Sequence, residues 1–234
     1  MMSGRMAAAV VCCMAFSGAA AQQPDEAAVI RSVDAAVHAR IDALAGYTVT
    51  EHYSVYRNHD EKHPAAEMTV RTVYRKESGK QYTILSESGS EFIRSHVLKT
   101  LLENERTFNL PGTRESSWFT SANYEMKLKS GATVQTDGRA CYALAISPRR
   151  KATNMIAGTL WVDAADGSIV RIEGNATQSP SIFTGPAQVM RRYAEMSGFA
   201  MATEARAVSE SFLLGQTVVT IQYSDYAMTI QTRR

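Results

Sequence analysis

From Tyr47 onward this chain alternates with a period of two, and that pattern commits most of the polypeptide to β-strands. Tyr47, Val49, Glu51, Tyr53 and Val55 alternate with Thr48, Thr50, His52 and Ser54. Successive side chains of a strand point to opposite faces, so such a run reads as a half-buried strand. Met68, Val70, Thr72 and Tyr74 repeat the pattern, and Gln81 to Ser86 follows through the turn Glu77-Ser78-Gly79-Lys80. Tyr47 to Ser86 is thus predicted as a three-stranded meander. Further strands are predicted near 122–129, 140–147, 157–163, 168–174, 187–194, 199–201, 205–213 and 217–226. Ser130-Gly131, Asp137-Gly138, Asp166-Gly167 and Leu214-Gly215-Gln216 mark the hairpin turns between them.

Two segments break the period. Ile30, Val33, Val37, Ile41 and Leu44 recur at helical spacing within Asp25 to Leu44, with Asp25 and Glu26 at the dipole's positive end and Gly46 as a stop. Glu91 to Glu105 carries a wide apolar stripe of Phe92, Ile93, Val97, Leu98, Leu101 and Leu102. Its charges Arg94, Lys99, Glu103 and Glu105 are assigned to the other side, and Ser88 or Ser90 is the expected cap. A lone helix among hairpins must lie across a sheet face. The expected fold class is α+β, mainly antiparallel β. About eleven strands form one large curled sheet, an incomplete barrel, with an N-terminal and an inserted helix covering its concave face.

The amino terminus addresses the compartment. Arg5, the unbroken apolar run of residues 6–16 and the small residues up to Ala19-Ala20-Ala21 have the layout of a secretory signal peptide. Cleavage is expected after Ala21, leaving residues 22–234 as a single domain in the periplasm. The run is too short to span a bilayer, which takes about 20 apolar residues. Cys12 and Cys13 would leave with the leader, so no intramolecular disulfide is available to Cys141. Within Arg139-Ala-Cys-Tyr-Ala-Leu-Ala-Ile146 this thiol reads as a small buried hydrophobe, with a reactive thiol or an intermolecular disulfide as the alternatives. The chain's net charge is +2 at pH 7. That near-neutral balance argues against nucleic acid as a partner.

No nucleophile elbow, P-loop or dinucleotide fingerprint is present, and the chain is not expected to be an enzyme. His59-Asp60-Glu61-Lys62-His63 imitates a zinc-protease motif. It lies between two alternating runs with Pro64 behind it, so it reads as a solvated hairpin loop, not as two histidines on one helix face. Asp163 and Asp166 flank a turn and read as hairpin chemistry. No catalytic residue, metal or cofactor is therefore assigned. Arg149-Arg150-Lys151, Arg191-Arg192 and Arg233-Arg234 read as strand ends and a solvated tail, or as contacts to anionic lipid headgroups in a peripheral membrane association. Eleven Met and ten Tyr supply many adaptable or amphipathic side chains, and a curled sheet leaves a concavity that one helix cannot fill. The residues chosen to line that apolar cavity are Tyr53, Tyr74, Phe92, Val97, Leu101, Trp161, Phe183, Phe212 and Ile221.

Four segments carry a family resemblance: Gly158-Thr-Leu-Trp-Val-Asp163, Gly167-Ser-Ile-Val-Arg-Ile-Glu173, Tyr193…Gly198-Phe199 and Gly215-Gln-Thr-Val-Val-Thr-Ile-Gln-Tyr-Ser-Asp-Tyr226. With the two helices, they make the chain resemble the LolA/LolB-like superfamily of bacterial envelope proteins. The resemblance implies a periplasmic carrier or binding protein for lipid acyl chains or lipidated protein. The alternative within the same fold is a sensor or protein-interaction domain whose partner is another envelope protein. Carriers of that family hold an arginine that restrains their lid, and Arg71 is the candidate for it here. Departures occur too: many relatives have Leu-Pro where this chain has Met201-Ala202.

Overall fold

The computed structural model describes residues 24–152, 154–178, 187–211 and 215–231. The expected leader, Phe183, Phe212 and the terminal arginine pair lie outside these residues. Helix α1 (Glu26–Ala43) comes first, and the Asp25 side chain caps it by accepting the Ala27 amide at 3.1 Å. Strands β1 (Leu44–Arg57), β2 (Ala66–Arg75) and β3 (Gly79–Gly89) form the expected meander. Helix α2 (91–108) follows as one run of an α-helical start Glu91–Ile93, a π-helical turn Arg94–Leu98 and an α-helix Lys99–Phe108. A 3-10 turn at Arg114–Ser117 leads to β4 (Tyr124–Leu128), β5 (Val134–Thr136) and β6 (Arg139–Pro148). Then come β7 (Ile156–Asp163), β8 (Ile169–Ala176), β9 (Ala187–Met196), β10 (Phe199–Ser211) and β11 (Gly215–Ile230).

All eleven strands join one antiparallel sheet ordered β3-β2-β1-β11-β10-β9-β8-β7-β6-β4, with β5 paired to β6. The first and last strands lie side by side, with Tyr53 opposite Ile221, so β3 and β4 are the edges and the sheet stays unclosed. Two details differ from expectation. Segment 199–201 and the described part of segment 205–213, up to Ser211, belong to one strand, β10, whose pairing with β9 shifts between Ala202 and Glu204. Such a bulge bends a strand without ending it, which interrupts the alternation that marks it. Strand β5 has three residues, too few to show any period.

Each helix covers a different part of the concave face. Val29 and Val33 of α1 pack with Tyr124, Leu144, Ile146, Leu160, Val162 and Ile172 from β4, β6, β7 and β8. Ile93, Val97, Leu98 and Leu102 of α2 pack with Tyr53, Val55, Met68 and Val70 from β1 and β2. The π turn inserts a residue within α2, and the apolar stripe still meets the sheet on both sides of it. Ser90 caps α2, its hydroxyl accepting the Ile93 amide at 3.4 Å. Polar contacts then fix α1. Glu26 accepts the Leu128 amide at 2.8 Å, and Asp34 accepts the Ser121 amide at 2.8 Å and its hydroxyl at 2.6 Å. The β7–β8 turn abuts α1 through Gly167, where φ is +74° and a Cβ would lie 2.5 Å from a Ser32 backbone carbon. Only glycine meets both demands there.

Candidate functional site

Between the two helices the central strands remain uncovered, and a cleft of about 770 Å³ lies over them. Its floor is the inner face of β9, β10, β11 and β1, and its walls are α1, α2 and the loop through Trp118. Small side chains make the room. β10 contributes Ala200, Ala202, Ala205, Ala207 and Ser209, and α1 contributes Ala35, Ala36 and Ala39. Val189, Val219, Ile221, Val97 and Leu101 supply apolar wall. A cavity of this size falls within the roughly 300–1,000 Å³ of ordinary ligand pockets.

One part of the floor is polar. Lys80 forms a close ion pair with Glu105, whose other carboxylate oxygen lies 3.8 Å from the Arg191 guanidinium. Burial opposes charge on all three, yet their neighbours outweigh it: Lys80 and Glu105 act on each other, and Tyr193 and Tyr223, ahead of Glu105, act on Arg191. The Lys80 ammonium sits well above the usual lysine range, the Glu105 carboxyl sits below the usual carboxylate range, and Arg191 is raised as well. Glu51 lies nearby on β1 and accepts a short hydrogen bond from the Tyr53 hydroxyl. Burial and neighbouring carboxylates hold the hydroxyls of Tyr47, Tyr53 and Tyr223 protonated beyond the ordinary tyrosine range. The cluster thus offers two carboxylates, two cations and neutral phenols within an otherwise apolar cleft.

Aromatic side chains rim the cleft. Tyr47 stacks on Tyr74 at 5.0 Å between centroids and meets Tyr226 at 5.8 Å. Arg114 donates to the Tyr74 hydroxyl at 3.1 Å and to the Lys76 carbonyl at 2.6 Å, which ties the 3-10 turn to β2. Trp118 meets His38 of α1 edge to face at 6.2 Å.

Of the residues assigned to a cavity from sequence, Tyr74, Val97, Leu101 and Ile221 line the cleft. Tyr53 lies beneath it, 1% exposed within the α2 core. Phe92 is 46% exposed and stacks on His96. Trp161 takes the convex face: its neighbours Leu160 and Val162 point into the α1 core, and Arg171 covers its ring at 5.6 Å. Arg71 is exposed between buried Val70 and Thr72, also on the convex face. Phe183 and Phe212 lie outside the described residues.

Two charged residues stand where sequence reading did not put them. Glu105 was assigned to the outer side of α2 but shares the face of Leu101, four residues earlier, and looks into the cleft. Arg191 was grouped with Arg192 as a strand end. Alternation separates them, Arg191 to the cleft and Arg192 to Glu204 at 2.9 Å. Glu51 was legible as a carboxylate in register with Tyr47, Val49, Tyr53 and Val55. The histidine pair lies in the β1–β2 hairpin, where His63 Nδ1 meets Asp60 at 3.0 Å in an exposed setting. Cys141 is fully buried, and burial raises its thiol pKa.

No family model matches the chain, and no curated protein matches it. Among solved structures it is similar to a LolA superfamily protein from Nitrosomonas europaea, at 13% identity and TM-score 0.47, over 88% of this chain and 94% of that one. It is also similar to an outer-membrane lipoprotein-sorting protein domain from Vibrio parahaemolyticus, at 11% identity and TM-score 0.47, over 84% and 90%. A DUF1329 family protein from Desulfovibrio piger aligns at 15% identity and TM-score 0.43, over 86% and 92%. Likeness of this degree concerns the course of the sheet and carries no activity to this chain. Among the described residues no helix is long and apolar enough to cross a membrane.

Proposed function

We propose that this chain is an exported periplasmic carrier or binding protein that shelters the acyl chains of a lipid or a lipidated protein. The observation that carries this reading is the cleft of about 770 Å³, apolar over most of its wall and left open by two helices that cover other strands. Burial of apolar surface supplies the driving force, roughly 25 cal/mol per Å² or about 0.8 kcal/mol per methylene. The leader-like first 21 residues and the family resemblance support the compartment and the cargo class. Native mass spectrometry and organic extraction of the purified protein test the reading. Bound lipid, and uptake of a fluorescent fatty acid by the stripped protein, are expected. A protein that carries no lipid and takes up no probe overturns it.

A second reading has one observation in its favour. Edge strand β3 exposes Ile84 by 41% and Leu85 by 52%. An open apolar edge suits an envelope partner that adds a strand. Crosslinking in cells separates the two: a defined protein partner held at β3 without lipid favours the interaction domain.

A further inference from the structure

We propose that the cleft selects amphiphiles whose head is uncharged and donates hydrogen bonds, such as a glyceride hydroxyl, and that Glu51 receives that head. The proposal rests on the carrier reading and adds the chemistry of the cargo's polar end.

Glu51 is 1% exposed and lines the cleft. One carboxylate oxygen accepts the Tyr53 hydroxyl, while Oε1 has no hydrogen-bond partner among the described residues. A buried carboxylate oxygen without a donor has lost its hydration and gained nothing in return. Lys80 and Arg191 are both directed to Glu105, and only with Glu51 counted do two cations meet two carboxylates. Arg191 Nε and the Thr217 hydroxyl are also buried without a hydrogen-bond partner among the described residues. Glu51 Oε1 is the charged acceptor left over.

Charge then decides which donor fits. The cluster is balanced, two carboxylates against two cations, so a fatty-acid carboxylate would bring a third negative charge that no cation offsets. An ammonium head would bring a third positive charge beside Lys80, which already interacts with Glu51 through space. A hydroxyl satisfies Oε1 with neither penalty, and the protonated Tyr47 and Tyr223 supply further neutral partners. The chain would run from this polar floor along Val219, Ile221 and Leu101.

The test uses four ligands with the same hydrocarbon chain: 1-monooleoylglycerol, methyl oleate, oleic acid and oleylamine. Each competes with N-phenyl-1-naphthylamine for the full-length protein stripped of lipid. A hydrogen bond to a charged acceptor predicts that the glyceride displaces the dye at about tenfold lower concentration than the other three. In Glu51→Leu the glyceride-to-ester ratio should collapse to near one. The nearly isosteric Glu51→Gln, in case the leucine variant does not fold, should reduce that ratio severalfold. Equal competition by glyceride and methyl ester in the unaltered protein overturns the head selection and leaves the carrier reading standing. So does tighter competition by oleate or oleylamine, or a ratio untouched by a folded Glu51 variant. If the dye does not bind and no ligand associates, the carrier reading falls, and this proposal with it.

Discussion

The two helices lie on one concave face but are held to it by different partners. Helix α1 rests on an apolar cluster, and its carboxylates accept backbone amides, Glu26 from Leu128 and Asp34 from Ser121. Helix α2 rests on a second apolar cluster, but its polar attachments join side chain to side chain, Glu105 to Lys80 and Arg191, and Glu87 to Arg94 at 2.6 Å. A backbone amide is fixed in the chain, so each α1 contact has one side chain that can move or lose its charge. An ion pair between side chains has two. The α1 half is therefore a fixed frame, and the α2 half is the wall of the cleft whose hold answers to pH and to ligand.

The largest expected effect lies in the frame. Leu160 is fully buried beneath α1, so Leu160→Ala should lower unfolding free energy by about 2–5 kcal/mol, read as a shifted urea midpoint with unchanged slope. Gly167→Ala follows, at about 1–3 kcal/mol, because the left-handed backbone and the Ser32 contact act together. Gly112 is the control. It has φ of +82° but nothing within 4 Å of a Cβ, so Gly112→Ala should cost less. Equal costs at the two glycines would break the claim that the β7–β8 turn is clamped against α1. On α2, Leu98 is fully buried but Leu101 borders the cleft. Leu101→Ala should therefore cost less than Leu98→Ala, below about 2 kcal/mol, and should alter fluorescent fatty-acid uptake where Leu98→Ala acts through stability alone. A Leu101 cost equal to that of Leu98, with no change in uptake, would make α2 a plain core helix.

The frame was far more legible in the sequence than the cleft wall. Strands and helices announce themselves through spacing, and Val29, Val33, Leu160 and Val162 obey it. The meander, both helices and their sheet-facing stripes were therefore readable. A cavity is written in what fails to fill space, and the alanines of β10 carry no periodic mark that separates a hollow from a core. Large aromatics attract attention, but Trp161 and Phe92 face outward, and strand alternation does not say which face is concave. The cleft's charges were misplaced for a related reason. Glu105 and Arg191 resemble ordinary surface charges until distant segments bring Glu105 between Lys80 and Arg191.

A smaller effect follows from the α2 ion pairs. The Glu105 carboxyl is lowered in the folded protein by Lys80 and Arg191, so the unfolded chain binds its proton first. Its contribution is complete above the ordinary carboxylate value of 4.5 and is lost as pH falls through the lower folded value. Lys80 is raised, so its contribution is complete below the ordinary 10.5 and is lost as pH rises through the folded value. Stability should thus decline modestly below pH 4.5, and Glu105→Gln should flatten that decline. Hydrogen exchange should show α2 loosening before α1. Simultaneous loosening would erase the distinction between frame and wall.

The smallest expected effect separates the inside of the sheet from its outside. The chain holds two tryptophans, Trp118 at the cleft and Trp161 on the convex face. A ligand entering the cleft changes the surroundings of Trp118 and leaves those of Trp161 as they were. Tryptophan emission should therefore shift on adding 1-monooleoylglycerol to the unaltered protein, and the shift should persist in Trp161→Phe but vanish in Trp118→Phe. Trp161→Phe should cost only about 0.5–1 kcal/mol of stability, since phenylalanine keeps a ring beneath Arg171 and loses the better cation–π face. Arg71→Ala, exposed on the same convex face, should leave ligand affinity unchanged. A shift that disappears with Trp161, or affinity that falls with Arg71, would put ligand on the convex side and move the functional surface away from the cleft.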